Sequence, residues 1–405
     1  MTVPSSSSLA SLVASSFSAS RERGDIILYA HTSATPVSDD PRAGPGEQGT
    51  FTQFVHVVPD LCDKPAVPPK TPDLSKVGKR DVFAGPDFGP GEKVCDFEVD
   101  ADDEQSDAEG EKKRVMYSVV HNLHALFPEH MMVIPHFGPK GTFRPQTSDL
   151  VPADLAAAWK VVEAYERDGR ETIMFFNGGP LAGASQPHLH LQFTPFQHSL
   201  PPACEAVGRS LPFPPSPPSP TASPSSLAAQ TGAGAARLPL PWVQFYLPVP
   251  SRPAADAGAA EQKAFQKELY QRYQTLLRTS RDYLASLPES SLPPAGPKRE
   301  SYNLFLTSRY MHLVPRTDRL VRVPRVESRG QGEDVLVDDG SEEGKRRRVE
   351  EFRLSVNGLL YLGYFFVGTP EEASDLRRHG LAKTLREAGY ANEEWEEGVK
   401  GEKSE

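Results

Sequence analysis

The sequence predicts an α+β fold in which short antiparallel strands are flanked by helices. Short runs of β-branched and apolar residues are bounded by Gly, Pro and Asn, as strands are, while longer segments repeat apolar residues at helical spacing. The runs at residues 301–306 and 310–314 are also close enough in sequence to form a tight strand pair.

An amphipathic helix docked on the body is expected near the N terminus, with a transit peptide as the alternative. Four apolar residues repeat there at helical spacing: Leu9, Leu12, Val13 and Phe17. Strands are expected at residues 115–120 and 131–134. The next helix should begin at Pro152, because proline suits the first helical position, and should end near Gly169.

The second half of the chain continues the same pattern. A strand at residues 172–176 leads into Asn177, and apolar residues from Phe265 to Leu287 mark a long helix. The strand pair noted above follows this helix. Residues 369–372, Thr-Pro-Glu-Glu, form a capping box that should open the last helix.

Composition excludes several classes of protein. The net charge of −10 argues against a general nucleic-acid binder but leaves anionic small ligands open. The three widely spaced cysteines, Cys62, Cys95 and Cys204, favour a reducing compartment over a disulfide framework or a structural zinc site. The most apolar run, residues 359–367, is far shorter than the ~20 residues that a membrane span needs. We therefore expect a cytoplasmic monomer that binds neither nucleic acid nor membranes, and a nuclear fraction if residues 345–348 act as an import signal rather than a solvated loop.

Proline content and charge runs divide the chain into parts. The 40 prolines are too many for a uniformly compact fold, so part of the chain should be solvated connection. Three segments are interpreted as mobile insertions: an acidic one at 100–113, a Pro- and Ala-rich one at 201–260 and a charged one at 327–351. The expected domains are an N-terminal part at 1–200 with the histidine motif, the 201–260 insertion, a C-terminal part at 261–392 and a charged tail at 393–405.

The run NGGPLAGASQPHLHLQF at residues 177–193 is the strongest candidate for a functional site. Because side chains in a strand alternate between faces, His188, His190 and Gln192 should share one face. A metal pair would need a third ligand, and none has convincing spacing nearby. Two structural histidines bonded to backbone carbonyls are the other alternative, which the small-residue loop before them disfavours.

The chemistry that this motif favours is nucleophilic attack on phosphorus. A neutral imidazole can hold a nucleotidyl group as a phosphoramidate, and His190 at the centre of the motif is the candidate nucleophile. Gln192 could donate to an oxygen that gains charge in the transition state, and His188 could orient the loop or the leaving group. Further donors are expected from the side chains of Asn177 and Ser185 and from the amides of Gly183, Ala184, Ser185 and Gln186.

The motif resembles the signature of the fungal-type ATP adenylyltransferases, or diadenosine tetraphosphate phosphorylases. This family belongs to the histidine-triad and galactose-1-phosphate uridylyltransferase superfamily. Four further segments of the sequence, at 61–65, 121–130, 301–316 and 355–358, resemble motifs of the family in the expected order. The resemblance spans roughly residues 20–200 and 240–390.

The resemblance implies a histidine-triad-like fold of two fused halves, with the site in a cleft between the central motif and the segment around Asn303. It also implies phosphorolysis of dinucleoside polyphosphates through an adenylyl group on His190, reversible between the dinucleotide plus inorganic phosphate and ADP plus ATP. Adenylyl sulfate is an expected side substrate. A divalent cation, Mg²⁺, is expected on the polyphosphate, with no tightly bound cofactor.

Further binding residues are carried over from the matching motifs. The resemblance implies that the substrate is bound by Lys64, Asn122, Asn303, Thr307, Arg309 and Met311. Arg316 is a weaker candidate for phosphate binding and equally an ordinary surface charge.

Two positions depart from the family pattern. Leu123 stands where a basic residue is usual, and Pro187 stands where an acidic residue is common. Neither change removes the nucleophile, but both leave open a non-catalytic nucleotide-binding protein. A hydrolase that transfers adenylate to water is the other alternative. Gln192 argues against it, because histidine-triad hydrolases carry a third histidine at that position.

Overall fold

The computed structural model describes residues 8–37, 52–61, 91–100, 114–136, 143–198, 200–211, 235–254, 257–296, 298–325, 351–393 and 395. The helices in these segments are α1 (Leu9–Arg23), α2 (Pro152–Arg167), α3 (Ala203–Ser210), α4 (Ala259–Ser286), α5 (Gly358–Tyr361), α6 (Pro370–His379) and α7 (Leu381–Ala388).

The strands of the first half are β1 (Ile27–Leu28), β2 (Ser33–Val37), β3 (Gln53–Val57), β4 (Lys93–Asp100), β5 (Arg114–His121), β6 (His124–Ala125), β7 (Met131–His136), β8 (Thr172–Gly178) and β9 (Leu191–Pro195). Those of the second half are β10 (Ala236–Arg237), β11 (Phe245–Pro248), β12 (Tyr302–Leu306), β13 (Tyr310–Pro315), β14 (Leu320–Pro324), β15 (Glu351–Ser355) and β16 (Tyr364–Val367).

A nine-stranded antiparallel sheet runs through both halves of the chain. Its strand order is β10-β11-β13-β12-β8-β9-β7-β5-β4, so the two halves meet where β12 pairs with β8. The register at this junction sets Asn303 directly opposite Asn177. The predicted α+β class with an antiparallel sheet and flanking helices is confirmed.

The two faces of this sheet have different covers. Helices α1, α2 and α4 pack on one face, called the helix face below. Helices α3 and α5, the β14–β15 sheet and the β16–β3–β2 sheet pack on the other, called the site face. Because side chains alternate along a strand, Met174 and Phe176 of β8 enter the helix-face core, whereas Phe175 and Asn177 point to the site face.

Most of the predicted elements are present with small changes at their ends. The N-terminal helix is α1, whose cap Ser8 accepts a hydrogen bond from the Ser11 amide. The helix expected at Pro152 begins there, and Gly169 follows its end with a positive φ of 73°. The long helix α4 begins six residues before the first residue of its apolar pattern, Phe265.

The boundaries predicted for the 201–260 insertion are wrong at both ends. Its first residues form α3, and its last part supplies strands β10 and β11 of the main sheet and the start of α4. High proline and alanine content hid these elements, and α3, β10 and β11 are too short to show a clear periodicity. Most of the 100–113 and 327–351 segments, like residues 212–234 and most of the tail, lies outside the described residues.

None of the helices in the described segments combines the length and apolarity that crossing a bilayer requires.

A buried carboxylate at the start of α2 fixes the segment that precedes it. The side chain of Asp154 is fully buried and accepts hydrogen bonds from the Arg144 guanidinium, the Tyr117 hydroxyl and the Val151 amide, each at 2.8 Å. The carbonyl of Arg144 in turn accepts from the amide of Leu189 at 2.7 Å. Asp154 therefore ties the histidine motif to the helix face.

Replacing Asp154 with alanine should lower the free energy of unfolding by about 3 kcal/mol, because it leaves the largely buried Arg144 guanidinium and the buried Tyr117 hydroxyl without their acceptor. Urea-induced unfolding measures this loss. Asp282→Ala on the exposed side of α4 is the control, with an expected change within about 0.5 kcal/mol. Equal stabilities of the two variants would contradict the anchoring role.

Candidate active site

The predicted histidine pair lies immediately before strand β9 rather than inside it. Strand β9 begins at Leu191, and His188 forms an isolated bridge with Pro145. The predicted alternation nevertheless holds, because Leu189, Leu191 and Phe193 all enter the helix-face core. The other set of side chains, those of His190 and Gln192, is thereby directed to the site face.

The ring of His190 is held in one tautomer. Its Nδ1 lies 2.8 Å from the carbonyl oxygen of His188, and since a carbonyl can only accept, Nδ1 carries the hydrogen. In the neutral ring the lone pair is then on Nε2. Burial lowers the pKa of His190 to about 4, outweighing the His188 hydrogen bond, which raises it. His190 is thus a neutral imidazole with a lone pair on Nε2 at physiological pH.

Gln192 is oriented by a second histidine, His130, which lies in the motif at 121–130 but was not predicted as a site residue. Nε2 of His130 donates to Oε1 of Gln192 at 3.1 Å. Asn122, a predicted binding residue, places its Nδ2 3.4 Å from Nδ1 of His130. Burial lowers the pKa of His130 to about 4, so this ring is also neutral. The Gln192 oxygen is occupied, which leaves its amide nitrogen as the group able to donate to a ligand.

A buried polar network joins the two halves of the chain beside the motif. Nδ2 of Asn303 donates to Oδ1 of Asn177 at 2.8 Å and to the carbonyl of Ala182 at 3.0 Å. Oδ1 of Asn177 also accepts from the Gly358 amide at 3.1 Å. These contacts bring together Asn177 and Asn303, which were predicted from motifs 126 residues apart.

Arg316 supports this network and is not a surface charge. Its guanidinium is fully buried and donates to Oδ1 of Asn303 and to the carbonyls of Ala388, Asp318 and Val356. The interpretation of Arg316 as a surface or phosphate-binding residue is therefore wrong. Its position after a strand hid this role, since nothing in the local pattern marks a buried arginine.

The loop after Asn177 approaches the second half of the chain closely. Gly183 has a φ of +86°, and a Cβ atom there would lie 2.6 Å from Cβ of Asn357 and 2.8 Å from the Val356 carbonyl. Glycine is therefore required at this position for backbone conformation and for space. Ser185 is exposed, and Ala184 and Gln186 are partly exposed. The predicted small-residue loop thus presents its later residues to solvent.

Three other predicted binding residues are not brought to His190. Thr307 follows the far end of β12, about 13 Å along the strand from Asn303 at ~3.3 Å per residue, and its hydroxyl donates to the buried carboxylate of Glu205. Arg309 is exposed on the turn between β12 and β13. Met311 is packed into the helix-face core, so its side chain cannot reach the site face. Lys64 lies outside the described residues.

A metal site was the alternative interpretation of the histidine pair. In the described part of the chain, no group of three or more His, Cys, Asp or Glu side chains has the geometry to hold a metal ion.

Two family models match the sequence on both sides of the junction between the halves. The Ap4A phosphorylase N-terminal domain matches residues 114–206, and the ATP adenylyltransferase C-terminal domain matches residues 238–391. Together they span more than half of the 405 residues. The chain belongs to the ATP adenylyltransferase and Ap4A phosphorylase family.

Members of this family in yeast align with most of the chain. The sequence is 23% identical over 360 residues to diadenosine 5′,5‴-P1,P4-tetraphosphate phosphorylase 2 of Saccharomyces cerevisiae, covering 85% of this chain and 86% of the relative. It is 23% identical over 332 residues to protein APA1 of the same yeast, covering 78% and 81%.

Crystal structures of the yeast Ap4A phosphorylase Apa2 share the fold. The complex with Ap4A superposes with a TM-score of 0.58 at 20% identity, covering 95% of this chain and 98% of Apa2. The complex with AMP gives a TM-score of 0.59 at the same identity. The two family models thus confirm the family implied by the sequence motifs.

The buried histidines of this family member should make it sensitive to acid. Burial lowers the pKa of His121, His130 and His190 to about 4 and, together with the nearby His31 and His198, that of His56 to about 3. The unfolded chain takes up protons near pH 6.5, whereas the folded chain does not, so stability should fall as the pH drops from about 6.5 toward about 4. We expect a loss on the order of 1 kcal/mol per pH unit for each histidine.

Urea unfolding between about pH 5 and pH 6.5, above the range in which most carboxylates titrate, measures this slope. Proton uptake on unfolding, measured in weakly buffered solution at about pH 5.5, gives an independent count of about one proton per buried histidine. A stability that stays constant over this interval would contradict the assignment of neutral, buried rings.

Proposed function

We propose that this enzyme cleaves diadenosine tetraphosphate with inorganic phosphate, yielding ADP and ATP through an adenylyl group bound to His190. The observation that carries the proposal is the hydrogen bond from Nδ1 of His190 to the His188 carbonyl, which leaves the lone pair on Nε2 of a neutral ring. A nucleophilic imidazole needs that protonation state. The yeast relative named as a diadenosine tetraphosphate phosphorylase, and the Apa2 complexes with Ap4A and AMP, support the choice of substrate.

In the first step, Nε2 of His190 attacks the α-phosphorus of the dinucleotide. The bond between this phosphorus and the bridging oxygen breaks, ATP leaves, and AMP stays on the ring as a phosphoramidate. The amide nitrogen of Gln192 donates to a non-bridging oxygen as its charge grows. The carbonyl of His188 stabilises the positive charge that develops on the imidazole ring.

In the second step, an oxygen of inorganic phosphate attacks the same phosphorus and releases ADP, restoring the neutral ring. Transfer to phosphate instead of water requires a site with little water. The side chains of His190 and Gln192 are only 1% and 9% exposed, which favours this selectivity. Lys64 is the cation that we propose for phosphate binding, on the basis of its motif.

We propose that Mg²⁺ arrives on the polyphosphate of the substrate. The described residues contain no cluster of three acidic, histidine or cysteine ligands, so phosphate oxygens and water would supply the coordination. The ion would neutralise charge on the leaving ATP.

The hydrolase and the non-catalytic binding protein are separated from this proposal by one set of assays. Turnover of Ap4A is measured with and without inorganic phosphate. ADP formation that requires phosphate supports the phosphorylase, AMP release without phosphate supports the hydrolase, and ligand binding without an acid-labile adenylate supports the binding protein.

Replacing His190 with alanine should abolish both the adenylyl-enzyme and turnover, because no other ring replaces its Nε2. The acid-labile adduct is detected with labelled Ap4A, and circular dichroism confirms that the variant is folded. His198→Ala, which changes an exposed histidine outside the motif, is the control and should keep the adduct. Turnover by His190→Ala would refute the assigned nucleophile.

The rate of adenylyl-enzyme formation should stay nearly constant from about pH 8 down to about pH 5. The reason is that the pKa of His190 is lowered to about 4, whereas an ordinary histidine would lose half of its nucleophile near pH 6.5. Single-turnover experiments without phosphate isolate this step from the titration of the acceptor. A fall of about fivefold in the rate between pH 6.5 and pH 5.5, as an ordinary histidine would show, would contradict the shifted pKa.

A further inference from the structure

The pairing of β8 with β9 stops just before the nucleophile. The ladder runs in register from Thr172 opposite Pro195 to Phe175 opposite Gln192. If the same register continued two residues beyond Phe175 and two residues before Gln192, Asn177 would lie opposite His190. That pair is absent from the ladder, so the two segments have separated at the position where the site begins.

The side chain of Gln146 lies between the separated segments. Its Oε1 accepts from the His190 amide at 2.8 Å, and its Nε2 donates to the Asn177 carbonyl at 3.1 Å and to the His190 carbonyl at 3.3 Å. The carboxamide therefore replaces the direct hydrogen bond that a ladder pair would form. The side chain is 3% exposed, so these bonds are shielded from water.

The backbone of Gln146 bonds to the same motif. Its amide donates to the Pro187 carbonyl at 2.7 Å, and its carbonyl accepts from the Gly179 amide at 3.3 Å. One residue thus holds both ends of the loop between Asn177 and His190. A carboxamide on two methylenes is needed for this arrangement, because glutamate offers no donor and asparagine is one methylene shorter.

We propose that Gln146 is a positioning residue for adenylyl transfer, which holds β8 and β9 apart and fixes the backbone of His190 so that Nε2 faces the α-phosphorus. The proposal rests on the function proposed above. Gln146 touches no reacting atom, so its effect is exerted through the geometry of His190. Displacement of a nucleophile by about 1 Å can cost roughly 100-fold in rate.

The test compares Gln146→Met and Gln146→Glu with a matched control, Gln197→Met. Gln197 also donates from its carboxamide to the backbone of β9, at the Pro195 carbonyl, but at the far end of the strand. Both Gln146 variants should form the adenylyl-enzyme about 100-fold more slowly, with the Kd for Ap4A changed less than about threefold. Gln197→Met should keep the wild-type rate. The glutamate variant preserves shape and one acceptor, which guards against a folding failure of the methionine variant.

Hydrogen exchange of the His190 amide provides a readout that does not depend on turnover. This amide should exchange slowly in the wild type and in Gln197→Met, and at least tenfold faster in Gln146→Met. Wild-type rates of adenylylation and exchange in both Gln146 variants would overturn the positioning role while leaving the proposed function intact. If the wild type forms no adenylate, the proposed function fails, and the exchange result alone decides whether Gln146 orders His190.

Discussion

The hydrogen bond from Nδ1 of His190 to the carbonyl of His188 determines what chemistry this site can perform. A buried imidazole without such a partner could place its hydrogen on either nitrogen, and the tautomer with the hydrogen on Nε2 would have no lone pair on that atom. The carbonyl removes that ambiguity because it can only accept. The carbonyl can accept this hydrogen only if the backbone between His188 and His190 is fixed. That backbone is fixed at the point where β8 and β9 separate. The tautomer is therefore a consequence of the fold.

The junction between the halves supplies the rigid support for this geometry. A fully buried arginine, Arg316, is placed where β13 ends, and its guanidinium has protein acceptors on Nε and on both terminal nitrogens. Removing one partner from such a network destabilises the fold by far more than the intact network stabilises it, because a buried charge is left without a partner. The network therefore holds one arrangement. The bond from Arg316 to Oδ1 of Asn303 directs the Asn303 amide nitrogen toward Asn177. The second half thus orients the motif of the first half without supplying a nucleophile.

Sequence patterns predicted the parts of the site that depend on local alternation and on motif order. The faces of His190 and Leu191 follow from strand periodicity, and Asn177 and Asn303 were recognised in separate motifs. Gln146 could not be found in this way, because a single glutamine in an irregular segment has no periodicity and bonds to backbone groups 31 and 44 residues away. The placement of Met311 in the helix-face core could not be predicted, because membership in a motif does not tell which face of the sheet a side chain occupies.

Burial gives a common explanation for the protonation states across the site. Desolvation lowers the pKa of both His190 and His130 to about 4, so each ring is neutral and has one hydrogen to place. The His188 carbonyl fixes the hydrogen of His190 on Nδ1, and Oε1 of Gln192 fixes that of His130 on Nε2. With its oxygen engaged, Gln192 can meet a phosphate only through its amide nitrogen, which is the group that an anion requires. A polar, solvated site would protonate these rings more readily and would also admit water as a competing acceptor. The same exclusion of water that keeps the proposed nucleophile neutral would therefore also favour the proposed transfer to phosphate over hydrolysis.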